Sequence, residues 1–265
     1  MSEEKVREVR RTLNELYWFN FKFSLLHKIM GLDFSRCFEY TTVLNELKIH
    51  GGEEILDIGG YWSCFPLFMA KKGARVTVLD IDKRAQLQKK YARRVGLQHL
   101  LNDKSFKVIM QDARRMEFPD SSFDFVTCVS VIEHIPRDGD IETMKEIERV
   151  LRPGGRVFIS VPYKQKYVEG RWGRWFQRYY DYDHLHERLI APSALDIKSI
   201  GFLIDRNTRK FSGFLYYKIP RLLRHSSGWS QILFAKHFLL YDKANREDAW
   251  VAWLVLEKTT WEETK

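Results

Sequence analysis

Cysteine is scarce in this chain: Cys37, Cys64 and Cys128 are the only three in 265 residues, widely spaced and never in a C-x-x-C pair. An odd, scattered set excludes a disulfide scaffold and fits a reducing compartment. Long apolar runs are missing as well; no stretch approaches the roughly 18 consecutive apolar residues that cross a bilayer as a helix. The opening Met1-Ser2-Glu3-Glu4-Lys5 alternates charge and leads into an amphipathic segment, so no signal peptide is expected and the predicted location is the cytoplasm. No G-x-x-x-x-G-K-[ST] phosphate loop occurs, which argues against a nucleoside triphosphate. Metal-ligand spacing is lacking too. His184-x-His186 and Glu133-His134 are isolated pairs, read as structural or hydrogen-bonded, and no metal is predicted.

What the chain does have is core material. Apolar residues make up 45% and aromatics 14%; eighteen Phe, twelve Tyr and eight Trp could not all stay solvated, which excludes global disorder. The length allows one large domain or two small ones. Net charge is +9, unevenly placed. Residues 1–160 hold 26 basic and 23 acidic side chains, whereas 161–240 hold 14 and 6, so nearly all the excess lies in that one stretch. A basic surface of this kind serves an anionic or surface-bound partner, or is simply a solvated face.

Residues 5–19 place Val6, Val9, Leu13, Leu16 and Tyr17 at helical spacing, and a second helix is predicted over about Tyr40 to Leu47. From there short apolar runs alternate with helical stretches. Strands are predicted at Glu54–Ile58, Arg75–Asp80, Phe106–Ile109, Phe123–Val129 and Arg156–Val161. Gly73 closes the helix before the second of them, and a helix at about 139–150 stops at Arg152-Pro153-Gly154-Gly155. Near-continuous apolar strands separated by helices mean a parallel sheet covered on both faces, a doubly wound, Rossmann-like α/β fold. Such sheets bind ligands at the carboxyl ends of their strands. After residue 161 the rhythm changes: eight aromatics between Tyr163 and Tyr182 are interleaved with Arg171, Arg174 and Arg178. A helix is predicted at about Ala191 to Ile200, a strand near Phe202–Arg206, an aromatic-basic segment over 210–240 and a closing strand at Trp250–Leu256. The chain thus divides into a helical cap (1–50) and an α/β domain (51–265), with insertions at about 163–190 and 210–245.

The first strand-to-helix turn reads Leu56-Asp57-Ile58-Gly59-Gly60-Tyr61-Trp62-Ser63. An acid at the strand end followed by glycines lets backbone approach a ligand closely. Ser63 can cap the next helix, and Pro66 is acceptable in its first turn. A dinucleotide would want G-x-G-x-x-G, which this turn lacks; Tyr61 and Trp62 would crowd a pyrophosphate, and Asp57 would repel one. Asp57 suits a ligand carrying an ammonium and a sulfonium. Asp80, ending the second strand, can accept from both hydroxyls of a ribose. Asp112, after the third strand, is placed to take an adenine amino group.

The series Asp57-x-Gly59, Asp80, Asp112-Ala113, Phe123-Asp124-Phe125-Val126 and Leu151-Arg152-Pro153-Gly154-Gly155 resembles class I S-adenosylmethionine-dependent methyltransferases, most of all the group acting on small molecules, lipids and glycans. The resemblance covers about residues 50–162 well and Tyr182 to Ile204 loosely. It implies a mostly parallel seven-stranded sheet with a reversed last hairpin and S-adenosylmethionine over strands one to four. It also implies that Asp57 and Gly59 hold the methionine end, Asp80 the ribose, and Asp112 with Ala113 the adenine, with Gly60, Ile81 and Ser130 counted among the cofactor-binding residues. Ser130 to Glu133 would face the methyl group. One departure stands out: the family turn is usually D-x-G-x-G-x-G, and here Tyr61 and Ser63 replace the second and third glycines.

Methyl transfer from a sulfonium is an in-line displacement, so alignment and exclusion of water are the protein's main tasks. An alcohol acceptor also needs a general base. His184 is the first candidate, beside Asp183, because an imidazole titrates near neutral pH; Glu133 and His134 are the second. No [DN]-P-P-[YF] follows strand four, where the sequence is Val129-Ser130-Val131-Ile132-Glu133-His134, and this weighs against adenine or glutamine amino groups as acceptors. The aromatic-basic stretches fit a lipid–water interface, a sugar or aromatic substrate, or single-stranded nucleic acid. A small-molecule, lipid or glycan acceptor is the expected reading, with peripheral membrane contact through 210–240. An RNA methyltransferase and a non-catalytic, S-adenosylmethionine-binding scaffold are the alternatives, and no oligomeric state is predicted.

Overall fold

A computed structural model describes residues 34–61, 63–173, 175–204 and 249–260, together with 11, 12, 14–16, 18 and 19. Helix α1 (Phe34–Leu47) precedes β1 (Glu54–Ile58), α2 (Phe65–Lys71), β2 (Arg75–Asp80), a 3-10 turn at Lys83–Gln86, α3 (Leu87–Arg94), α4 (His99–Asn102) and β3 (Phe106–Met110). Then come β4 (Phe123–Val129), a 3-10 turn at Ile132–His134, α5 (Gly139–Val150), β5 (Leu151–Pro162), β6 (Val168–Trp172) and β7 (Trp175–Tyr179). Helix α6 (Tyr182–Leu185) runs into a π-helical turn at His186–Ile190, and β8 (Leu195–Ile204) and β9 (Ala249–Lys258) complete the order.

Seven strands form one sheet in the order β3-β2-β1-β4-β5-β9-β8, while β6 and β7 make a separate hairpin. Strands β1 to β5 pair in parallel, and β9 lies antiparallel between β5 and β8, which is the reversed last hairpin. The order reverses between β1 and β4, and a crevice at such a switch point is where these sheets take ligands. Successive strand residues feed opposite faces. Ile55, Val76, Val78, Val108 and Phe158 pack on one side, and Leu56, Leu79, Val126, Val157 and Ile159 on the other. Each fully buried Leu or Ile contributes about 1.5–3 kcal/mol, so burial on both faces is what makes the strands read as unbroken apolar runs.

The five parallel strands and the helix at 139–150 lie where the sequence places them. Strand β5 starts earlier, at Leu151, because Phe123 pairs with Leu151 ahead of a register shift that absorbs the Pro-Gly-Gly turn. Helix α1 begins at Phe34 rather than Tyr40. The helix predicted over Ala191–Ile200 is overturned: the helical turns end at Ile190, and 195–204 is strand β8 paired along β9. A register shift between Ile197 and Ser199 breaks the period-two pattern there and leaves a spacing that looks helical. In the amino-terminal segment the described positions 11, 12, 14–16, 18 and 19 are helical, with Leu16 buried; Val6, Val9, Leu13 and Tyr17 lie outside the described residues, as do 205–248 and with them the 210–245 segment. Cys64 and Cys128 are buried free thiols. No helix among the described residues is long and apolar enough to cross a membrane.

Candidate functional site

The carboxyl ends of β1, β2 and β4 bring together most of the predicted positions. Asp57 is 4% exposed, and its Oδ1 accepts from Thr127 Oγ1 at 2.5 Å across the β1–β4 pair. Burial pushes its carboxyl up to about 7, with the negative charge of Asp80 adding to the effect. Asp80 is also buried, and its Oδ1 accepts from the amide of Asp82 at 2.8 Å. Burial raises its carboxyl too, against the backbone donors around it. Among the described residues neither acid is held in a salt bridge; the charge of Arg84 acts on Asp80 through space while its guanidinium pairs with Asp82.

The turn between them is tight. Gly59 has φ +73°, and a Cβ on it would lie 2.4 Å from a methyl of Val131 in the turn after β4. A Cβ on Gly60 would lie 2.2 Å from Asp57 Oδ2. Only glycine lets the backbone pass here. Where the family pattern has further glycines, this turn is braced from outside. Gln88 on α3, fully buried, donates to the carbonyls of Gly60 at 2.6 Å and Ser63 at 2.7 Å, and the Arg84 guanidinium lies 4.7 Å from the Tyr61 ring centre. Ser63 accepts from the Phe65 amide at 2.9 Å although the cap position itself is Cys64, and Pro66 sits in the first turn of α2.

Ile81 is 72% exposed at the end of β2 and Met110 is 50% exposed beside Asp80 in register, so two apolar side chains stand on the rim with no core to fill. Ala113 is buried. The Asp112 carboxylate is gripped by Arg114 through Nε at 3.0 Å and Nη2 at 2.6 Å, which holds it below the usual range. What Asp112 offers an incoming amine is therefore its remaining lone pairs.

The turn after β4 carries the acceptor-side groups. Ser130, at φ +49°, donates through Oγ to Glu39 of α1 at 2.7 Å. Glu133 is 1% exposed, its Oε2 has no hydrogen-bond partner, and burial pushes its carboxyl up to about 8. His134 Nδ1 lies 2.9 Å from the Phe176 carbonyl. A carbonyl only accepts, so Nδ1 carries the proton and Nε2, 3.8 Å from Glu133 Oε1, presents a lone pair. His184 is placed differently: its Nδ1 pairs with Asp181 Oδ1 at 2.7 Å, not with Asp183, and its ring stacks on Tyr167 with centres 4.0 Å apart. Asp181 and Tyr167 tie it to the chain around the β6–β7 hairpin. Among the described residues no group of three or more His, Cys, Asp or Glu is placed to hold a metal ion.

Sequence reasoning missed Thr127, Gln88, Met110 and Glu39. Thr127 carried a signal, as a lone hydroxyl inside the apolar run Val126-Thr127-Cys128-Val129; the others read as ordinary helix or strand-end residues.

Residues 56–159 match the family model described as a methyltransferase domain. A ubiquinone biosynthesis O-methyltransferase of Aeromonas salmonicida is 32% identical over 110 residues, covering 41% of this chain and 43% of that protein. The chain thus spans between about two fifths and three fifths of the length of the curated relatives it matches. Among solved structures, the [4+2]-cyclase SpnF superposes with a TM-score of 0.63 at 20% identity, over 86% of this chain and 83% of that one. The 1,6-didemethyltoxoflavin-N1-methyltransferase of Burkholderia thailandensis, holding S-adenosylhomocysteine, gives 0.56 at 14% identity over 98% and 91%. At these identities the likeness is one of fold, and a cyclase among the neighbours means the fold alone names no reaction.

Proposed function

We propose that this chain, whose residues 56–159 match a methyltransferase domain, uses S-adenosylmethionine to methylate an oxygen of a small-molecule acceptor. The observation that carries the reading is the pair Asp57 and Asp80: two buried carboxyls at adjacent strand ends, both raised by burial and neither held in a salt bridge among the described residues. A bound ammonium would favour the ionised form of Asp57, and hydroxyl donors would satisfy Asp80. The glycine cradle beneath it has room for backbone contact and for nothing larger.

When bound, the cofactor supplies a methyl group already activated by a positive sulfur. Asp57 would hold the ammonium end, Asp80 the ribose hydroxyls, Ile81 and Met110 the two sides of the base, and Asp112 with Ala113 its edge. Ser130 and Val131 fix the gap between the first and fourth strand ends. On the acceptor side His134 Nε2 takes the hydroxyl proton, its tautomer set by the Phe176 carbonyl. Glu133, neutral below about pH 8, lies next to that nitrogen and lends the site a hydrogen-bond donor rather than a second negative charge. Support for an oxygen acceptor comes from this base geometry and from the O-methyltransferase relatives.

Contact with an anionic lipid surface is part of the proposal. Trp175 is 67% exposed on the β6–β7 hairpin, within the basic stretch that also carries Lys166 and Arg171. The cytoplasm, at a membrane face, is the proposed location. The 210–240 segment first assigned to this contact lies outside the described residues.

Calorimetry with S-adenosylmethionine and S-adenosylhomocysteine tests the cofactor, and tritiated methyl transfer to a cell extract, fractionated into lipid, sugar, small-molecule and RNA pools, tests the acceptor. Counts in the small-molecule or lipid pool support the reading. Counts in RNA alone overturn the acceptor class, and cofactor binding without transfer to any pool favours a binding-only protein.

A further inference from the structure

The most unusual polar group outside the strand-end acids is Glu39. It sits on α1, beyond the 56–159 segment, yet it is 4% exposed and wedged against the carboxyl ends of β4 and β5. Its Oε1 accepts from Ser130 Oγ and from Ser160 Oγ, both at 2.7 Å. Its Oε2 faces Arg36 Nη1 at 3.1 Å, and the same guanidinium nitrogen donates to the Val129 carbonyl at 3.1 Å. One carboxylate thus joins α1 to the last residue of β4, to the turn after it and to β5.

The turn needs such a hold. Ser130 has a left-handed backbone, φ +49°, which is strained for a non-glycine residue and persists only where surroundings fix it. Two bonds fix it: the Ser130 amide donates to the Ser160 carbonyl at 2.9 Å, and the hydroxyl donates to Glu39. The next residue, Val131, has its methyls against Gly59, where a Cβ would come within 2.4 Å. Two residues further on is Glu133, with its unpartnered oxygen. Moving Ser130 therefore moves Val131 against the glycine cradle and shifts Glu133 and His134 together.

We infer that Glu39 is a positioning residue for the cofactor site: through Ser130 it sets the gap between Gly59 and the turn after β4, which makes α1 a working part of the site. The inference rests on the cofactor reading above.

The test is calorimetric titration of the full chain with S-adenosylhomocysteine, with the melting temperature of each variant alongside. Glu39→Ala and Ser130→Ala are each expected to weaken affinity tenfold or more. The double variant should be no more than about threefold worse than the poorer single one, because both changes cut the same link. Glu39→Gln keeps an acceptor oxygen for the hydroxyls but gives up the Arg36 pair, so it should bind at least threefold more tightly than Glu39→Ala and Ser130→Ala, a partial rescue that general destabilisation would not give. Binding by the wild type with unchanged affinity in Ser130→Ala overturns this inference alone, as do losses that multiply in the double variant. Absence of binding by the wild type overturns the cofactor reading and this inference with it. Should Glu39→Ala fail to fold, Ser130→Ala and Glu39→Gln decide the matter by the same criteria.

Discussion

Arg188 grips Asp140 with both arms of its fork: Nε reaches Oδ2 at 2.8 Å and Nη2 reaches Oδ1 at 2.7 Å, on a carboxylate with no exposed surface. Tyr180 donates to the same Oδ2 at 2.8 Å, and the buried Arg178, 3.6 Å from Oδ1, donates onward to the carbonyls of Ile135 and Arg137. One acid in the first turn of α5 thereby ties down the β6–β7 hairpin and the helical turns after it, the frame that carries His184 and whose Phe176 carbonyl holds His134. Removing the acid leaves Arg178 with Glu169 and Arg188 with Asp138, but costs both their buried partner and Tyr180 its acceptor. Asp140→Ala is expected to lose about 1.5–3 kcal/mol of stability, the scale of hydrogen bonds to a charged group. Urea unfolding measures it; a loss below about 1 kcal/mol would show that the cluster does not hold the frame.

The raised carboxyl of Asp57 makes cofactor binding depend on pH. A bound ammonium favours the ionised form, so affinity should climb as pH rises through about 7 and level off above it. The ligand-free protein responds in the opposite sense. A carboxyl whose folded pKa is raised contributes stability that is complete below its unfolded value and is lost as pH rises through the folded one. Asp57 thus costs stability across about pH 4 to 7, and Glu133 adds the same trend up to about 8. Asp57→Asn should flatten the affinity profile, weaken binding at pH 8 and raise the ligand-free melting temperature there. Calorimetry and thermal melts from pH 5.5 to 8.5 are the measurements.

Asp80→Ala should weaken S-adenosylhomocysteine binding by about 1.5–3 kcal/mol, the scale of hydrogen bonds to a charged group. Unchanged affinity would mean that the ribose lies elsewhere.

Gly60→Ala places a methyl 2.2 Å from Asp57 Oδ2, 2.9 Å from Pro66 and 3.0 Å from Val78. All three neighbours are buried, so the expected outcome is a loss of about 1–3 kcal/mol in stability from overpacking, together with weaker cofactor binding. Chemical denaturation and calorimetry on the same sample separate the two.

The two histidines should behave differently. His134→Asn is expected to slow methyl transfer by about 10²–10⁴-fold with cofactor affinity within threefold of wild type. His184→Asn should change transfer less than tenfold, since His184 is engaged by Asp181 and Tyr167. Single-turnover rates, once an acceptor pool is found, distinguish them. The reverse order would move the base to His184.

The parallel half of the sheet was legible in the sequence because its signal is local. Five apolar runs buried on both faces, each followed by a turn, can be read residue by residue, and so can an acid at a strand end next to glycines. The places of Asp57, Gly59, Gly60 and Asp80 at the ends of β1 and β2 could therefore be read in order. Strand β8 was legible only at its end, near Phe202: its bulge at Ile197–Ser199 blurs the period of two before that, and its partner β9 lies some fifty residues away. Asp183 was paired with His184 on adjacency alone, whereas the cap geometry selects Asp181.

The sequence by itself determined which residues become the five parallel strands, where the chain turns sharply between them and which acids end those strands, since these depend on neighbours a few positions apart. Only the tertiary structure decided that Glu39, an ordinary polar residue of a helix, is buried against Ser130 and Ser160, that Glu133 is closed off from water, and which nitrogen of His134 is left open. Each of those outcomes depends on groups up to 121 positions apart meeting at low dielectric, where burial and a single hydrogen bond set charge and orientation.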